Sequence, residues 1–237
     1  MKTKILALLL GITCGNSALA ETNQEDKSFW DLPTHGKFEF RQEYRDGIDQ
    51  YNNKFQVNLR QGSYILETIA YVNGGSDNDI WSDHKIGSYE LGLYHNYKIN
   101  PQITIRPGFA YAINTNENNL YIPSLRFNYL TNTKVQIEAR YKQVITSKNT
   151  HRNQAFDLYL GYGGIKDLHL LYQGNITHSV SGNPLFDNKD IDYFHNLKAT
   201  YKGFNRLQPY AEIGDIKVSP KSNERQLRWR LGIVYLF

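Results

Sequence analysis

The sequence predicts an all-β protein, a transmembrane antiparallel β-barrel of about twelve strands, and three observations carry that prediction. Polar and apolar residues alternate with period two along most of the chain, the connections between these stretches alternate between short and long, and the N-terminus has the make-up of an export leader. Composition agrees, with 18 Tyr and 11 Phe against one Cys and one Met at a mean hydropathy of −0.58. After the first twenty residues no stretch approaches the roughly 18 to 20 uninterrupted apolar residues of a membrane-spanning helix. A helical membrane protein is therefore excluded.

Lys2 and Lys4 precede an apolar run from Ile5 to Ile12, and Ala18-Leu19-Ala20 has the small-x-small pattern of a secretory cleavage site. Residues 1–20 are thus expected to be a signal peptide, residues 21–34 a polar periplasmic segment containing Trp30, and residues 35–237 the barrel. The only cysteine, Cys14, lies in the leader and follows Thr13, a poor lipoprotein site, so neither disulfide nor lipid anchor is expected. Of 27 Lys and Arg, two belong to the leader, leaving 25 against 23 acidic residues. With so even a balance, any preference for charged partners depends on where the charges point.

The first strand sets Lys37, Glu39, Arg41, Glu43 and Arg45 against Phe38, Phe40, Gln42 and Tyr44, so one face is charged and the other largely aromatic. In an outer-membrane barrel the apolar face meets lipid and the polar face lines the interior. Phe55, Val57 and Leu59 oppose Lys54, Gln56, Asn58 and Arg60 in the second strand. The third, Tyr64 to Val72, is ambiguous in its facing because Ile65 and Ile69 share the parity of Glu67 and Tyr71. Tyr89 to Lys98 follows, then Ile103, Ile105, Pro107, Phe109 and Tyr111 against Thr104, Arg106, Gly108 and Ala110. Next come Tyr121, Leu125, Phe127 and Tyr129 against Ser124, Arg126 and Asn128, and Val135, Ile137, Ala139 and Tyr141 against Gln136, Glu138, Arg140 and Lys142. Phe156 to Tyr162, Leu168 to Tyr172, Tyr193 to Lys202, Gln208 to Ile216 and Arg225 to Phe237 complete the set.

Short connections are expected at Gln61-Gly62, Asn100-Pro101, Thr131-Asn132, Gly163-Gly164 and Gly203 to Asn205, all with turn chemistry. Longer ones are expected at Asp46 to Asn52, Asn73 to Ile86, Asn114 to Asn119, Thr146 to Asn153, Ser179 to Asp190 and Lys217 to Glu224. An even number of strands puts both mature termini on the short-turn, periplasmic side. An open sheet edge in hydrocarbon would leave backbone groups unpaired, so the first strand is expected to pair with the last. Tyr44, Tyr97, Tyr129 and Tyr141 near strand ends suit aromatic girdles at headgroup level.

The last strand sets Leu227, Trp229, Leu231, Ile233, Tyr235 and Phe237 against Gln226, Arg228, Arg230 and Gly232. Its closing Tyr235 and Phe237 look like the aromatic signature by which the barrel-assembly machinery recognises its clients. From Asn223 onward, Asn-Glu-Arg-Gln-Leu-Arg-Trp-Arg-Leu-Gly-Ile-Val-Tyr-Leu-Phe resembles the end of the oligogalacturonate-specific outer-membrane porins, a family that also contains a sialic acid channel. The resemblance extends to Ile105-Arg106-Pro107-Gly108-Phe109, Tyr121 to Arg126, Glu138-Ala139-Arg140-Tyr141, the run Asp187 to Asp192 leading to His195-Asn196, and Pro209 to Gly214. It implies a monomeric twelve-stranded barrel in the outer membrane, in contact with lipid and lipopolysaccharide. It also implies a narrow, basic pore passing small acidic oligosaccharides by diffusion.

With polar parity inward, the lumen collects Arg41, Arg45, Arg60, Arg106, Arg126, Arg140, Lys142, Lys198, Arg228 and Arg230, accompanied by Glu39, Glu43, Glu67, Glu90, Glu138, Asp157 and Glu212. These cations either pair across strands in structural networks or present guanidinium forks to passing carboxylates. Arg106, Arg126, Arg140, Arg228 and Arg230 lie on the best-phased strands and are the leading pore-lining candidates. Tyr94, Tyr159 and Tyr210 share the inward parity, to stack on sugar faces or to fill space. The string His178-Ser179-Val180-Ser181-Gly182-Asn183 resembles an outer-membrane phospholipase motif but has Val180 where the nucleophilic serine belongs, so no enzyme activity is expected. The histidines make no metal-ligand spacing. The acidic loops Asp77 to Asp83 and Asp187 to Asp192 read as solvated loops or as a rim site for divalent ions. Neither cofactor nor nucleic-acid partner is indicated, because nucleotide-binding glycine loops and basic helices are absent.

Overall fold

Every described element is a β-strand, in the order β1 (Thr34–Arg45), β2 (Gln50–Gln61), β3 (Tyr64–Asn73), β4 (Lys85–His95), β5 (Tyr97–Lys98), β6 (Ile103–Asn114), β7 (Leu120–Leu130), β8 (Val135–Thr146), β9 (Arg152–Tyr162), β10 (Leu168–Ser179), β11 (Ile191–Tyr201), β12 (Leu207–Lys217) and β13 (Arg225–Leu236). The computed structural model describes residues 34–74, 84–115, 118–148 and 151–237. The expected leader, the segment 21–34 except Thr34, both Trp30 and Trp81, and the acidic stretch Asp77 to Asp83 lie outside the described residues.

Each strand pairs antiparallel with its sequence neighbour, and β1 pairs with β13, from Lys37↔Leu236 to Arg45↔Arg228, so the sheet closes on itself. The short β5 continues β4 beyond Asn96, and both pair with β6. The thirteen segments therefore form the twelve staves of one barrel. Closure gives every stave a hydrogen-bonded neighbour on both sides, the condition for crossing hydrocarbon with strands.

Burial is inverted relative to a water-soluble protein. Leu231, Leu197 and Ile176 on the outer face are 66%, 60% and 58% exposed, whereas Asp157, Glu43 and Asn196 inside are 1%, 3% and 3% exposed. The ambiguous β3 is resolved by its register. Glu67 lies opposite Asn58 and its carboxylate accepts from Gln56 and Asn58, both inward, so Ile65, Ile69 and Tyr71 also face the lumen. Leu66, 42% exposed, takes the lipid side.

Several boundaries differ from the sequence expectation. Strand β10 runs on to Ser179, because Gln173, Asn175, Thr177 and Ser179 continue the inward row that Tyr172 and Ile176 bracket on the outside. The connections 46–49, 115–119 and 147–151 are no longer than the turn 163–167, since ladder pairing persists into polar residues such as Arg45↔Gln50 and Ile145↔Arg152. Among the connections on that end, 74–84, 180–190 and 218–224 are the longest. The 180–190 connection lies on 218–224, where the Asp187 and Asn188 amides donate to the carbonyls of Ser222 and Pro220 at 3.1 and 3.2 Å.

At the opposite end, Gly36 and Phe237 exchange backbone hydrogen bonds of 2.7 and 3.0 Å, and the Phe237 ring occupies the space a side chain at position 36 would need. Strand β13 thus holds both neighbours, β1 and β12, along most of its length. A chain ending at Glu224 is expected to lose the heat-modifiable shift of a folded barrel on unheated gels, and a folded band from that chain would contradict the closure described here.

Candidate functional site

The lumen is lined by the inward residues of all twelve staves, and its charges are arranged differently on two opposite walls. One wall is formed by β12, β13 and β1. There Glu212, Arg230 and Glu43 occupy one cross-strand row, extended on β11 by Lys198. Signs alternate along this row, and the contacts are close: Arg230 Nε lies 2.6 Å from Glu43 and Nη1 lies 2.5 Å from Glu212. Glu43 is a hub, with Arg45 at 2.7 Å and Arg41 and Arg228 each at 3.9 Å. Arg228 donates to Asn196 at 2.6 Å. Two inward positions along β1, beyond Arg41, Glu39 receives Lys54 at 2.7 Å, Lys37 at 3.3 Å and the Tyr210 hydroxyl at 2.9 Å.

The wall half-way round the barrel is formed by β6, β7 and β8. Here Arg106 pairs with Arg126 and Arg126 with Arg140, so three arginines stand side by side in one row. Like charges directly opposite each other on a sheet are destabilising, and this row is only partly compensated. Arg126 has Glu138 at 3.0 Å, and Arg106 donates to the neutral Asn96 amide at 2.6 Å. Arg140 has no ion pair among the described residues, and its buried Nε has no hydrogen-bond partner. The next residue in the row, Asp157, is already engaged by Lys142 at 3.4 Å and by the Asn175 amide at 2.7 Å.

The other inward candidates fall in less open places. Arg60 sits at the short-turn end, its Nε donating to the Gly62 carbonyl. Lys198 stands 3.5 Å over the centre of the Tyr210 ring. Tyr210 itself is only 5% exposed, a wall residue whose lumen side is covered. Tyr159 accepts from Gln173 at 3.1 Å. Lys54, Asn96 and Asn196 complete the lining and were not singled out by the sequence, although the alternation of β2 and β11 places Lys54 and Asn196 on the inward parity. Tyr235 and Phe237 stack at the short-turn end with centroids 6.1 Å apart. Around His178, the ring pairs with Asp190 at 3.2 Å, whereas Ser181 Oγ accepts from the backbone amide of Arg152 and the side chain of Asn183. That serine is bound into the loop rather than aligned with a base.

A family model described as oligogalacturonate-specific porin protein (KdgM) matches residues 35–237. The oligogalacturonate-specific porin KdgM of Dickeya dadantii (strain 3937) is 31% identical over 252 residues, covering 100% of both chains. Among solved structures, the NanC porin superposes with a TM-score of 0.70 at 15% identity, over 84% of this chain and 98% of that one. The KdgM porin in complex with disordered oligogalacturonate gives 0.66 at 21% identity, over 85% and 99%. Both solved structures share the barrel.

The two walls differ in what they lose on mutation. Glu43→Gln removes the partner shared by Arg230, Arg45, Arg41 and Arg228 and leaves Glu212 alone to offset Arg230 and Arg228, at a cost of about 3–5 kcal/mol. Arg140→Gln breaks no described ion pair and is expected to cost less than about 1 kcal/mol. Urea unfolding in detergent micelles measures both, and equal losses would contradict the division into a braced and an unbraced wall.

Proposed function

The chain belongs to the family of oligogalacturonate-specific porins, and from that premise we propose that it is an anion-favouring diffusion channel for small acidic oligosaccharides, oligogalacturonates first. The observation that carries this reading is the row Arg106, Arg126 and Arg140, which keeps three guanidinium groups adjacent at an electrostatic cost. A carboxylate passing this wall offsets the repulsion between them, so solute and wall gain together. Neighbouring strands lie about 4.8 Å apart, so the three forks stand close together on one wall and a carboxylate released by one has the next within reach. Planar bidentate pairing favours carboxylates over chloride. Several weak sites in series allow release as well as capture, which conduction requires.

The opposite wall supports the same polarity with a different role. Its arginines are held by Glu43 and Glu212, so they brace the lumen and lend a weaker net field. Arg41 and Arg228 are held more loosely, each with a buried Nε that makes no hydrogen bond and with Glu43 at 3.9 Å. The reading further places the short-turn end, with Thr34 and Phe237, in the periplasm, and the 180–190 and 218–224 connections outside, against lipopolysaccharide. A single barrel suffices for the lumen, supporting a monomer that does chemistry on nothing it carries. Recognition of Tyr235 and Phe237 by the assembly machinery belongs to the same proposal.

In proteoliposome swelling assays, trigalacturonate is expected to enter faster than a neutral trisaccharide of similar size. The Arg106→Gln/Arg126→Gln/Arg140→Gln variant should lose about tenfold of that advantage while still admitting the neutral sugar, as expected if the row as a whole contributes on the order of 1.4 kcal/mol. Unchanged preference in the triple variant would sink the proposal.

A further inference from the structure

Two lumen tyrosines on different staves are seated in the same way. Tyr94 lies directly across the β4–β6 ladder from Gly108, and Tyr210 directly across the β12–β13 ladder from Gly232. A Cβ built on Gly108 would clash with the Tyr94 ring, and one on Gly232 with the Tyr210 ring. Gly92, two residues before Tyr94, is covered by the other edge of the same ring. None of these glycines has a positive φ, so the backbone does not require glycine there. What requires it is space.

Each ring consequently rests on the sheet instead of standing off it, and Tyr94 and Tyr210 are only 6% and 5% exposed. Each hydroxyl also ends at a carboxylate: Tyr94 donates to Glu67 at 3.2 Å and Tyr210 to Glu39 at 2.9 Å. The remaining acceptors of these glutamates take Gln56 and Asn58 in one case, Lys54 and Lys37 in the other. Over Tyr210 the surface offered to the lumen is the Lys198 ammonium. A tyrosine lying over glycine thus lowers the wall and fastens an acidic side chain to it.

We propose that Gly108 and Gly232 set the clearance of the channel by giving Tyr94 and Tyr210 recesses in which to lie flush with the lumen wall, pinning Glu67 and Glu39 away from the path of an anionic solute. The inference rests on the channel reading above, and its test reads the width of the passage. It also goes beyond sheet stability, although a ring over glycine stabilises a sheet. Valine at either glycine would lift the ring into the lumen, narrowing the passage with no change of charge.

Single-channel conductance in planar bilayers tests this on the full barrel. Gly108→Val and Gly232→Val are each expected to lower conductance by about twofold or more, and adding Tyr210→Ala to Gly232→Val to restore it. Tyr94→Ala and Tyr210→Ala alone should raise conductance by less than about 1.2-fold, because a flush ring obstructs little. These two variants carry the test if the valine variants do not fold. Folded valine variants that conduct like the parent, or single Tyr→Ala variants that more than double conductance, would overturn the proposal. A merely structural role would move the unfolding midpoint and leave conductance where it was. A folded parent chain that passes no current would instead overturn the channel reading.

Discussion

Backbone hydrogen bonding in a medium without water is the constraint on which the rest of this structure depends. Every N–H and C=O that crosses hydrocarbon must find a partner within the protein, and a sheet does so only by closing. Closure through β1 and β13 then divides the side chains of each stave by parity, lipid outside and lumen inside. In a twelve-stave barrel the inside is narrow, so charged and amide side chains become the core. Their mutual pairing replaces the hydrophobic packing of a soluble domain.

That substitution explains why lumen charge serves two purposes at once. Buried ions are tolerated where they are paired and hydrogen-bonded, and Arg230, clamped between Glu43 and Glu212, meets that condition on its wall. The wall built on Arg106, Arg126 and Arg140 does not. Incomplete pairing is a liability for stability and an asset for a channel, because a group already satisfied by the protein has little to offer a solute. The tyrosines on glycine extend the same logic, since each hydroxyl fastens one glutamate, Glu39 or Glu67, to the wall.

Fold and closure were legible in the sequence because period-two alternation is a local signal. Lys37 to Arg45 and Arg225 to Phe237 show it plainly, and both form the strands expected. Strand β3 was not legible in its facing, since Ile65 and Ile69 fill lumen space between Glu67 and Tyr71 and so break the correspondence of apolar with outward. Parity also identified Arg106, Arg126, Arg140, Arg228 and Arg230 as inward, without showing that the first three share a row while Arg230 is clamped between two glutamates. That distinction depends on register between strands, which turn geometry sets and which no single strand encodes. The seating of Tyr94 and Tyr210 was hidden for the same reason, because Gly108 and Gly232 become their neighbours only across a ladder.

Charge on the two walls makes the sign of the lumen field the central claim. The zero-current potential of the unmodified chain in a planar bilayer, under a tenfold gradient of potassium chloride, reads that sign directly. Chloride is expected to move faster than potassium and to set the polarity of that potential, which should grow as ionic strength falls and screening weakens. A potential of the opposite polarity, with potassium the faster ion, would contradict that claim.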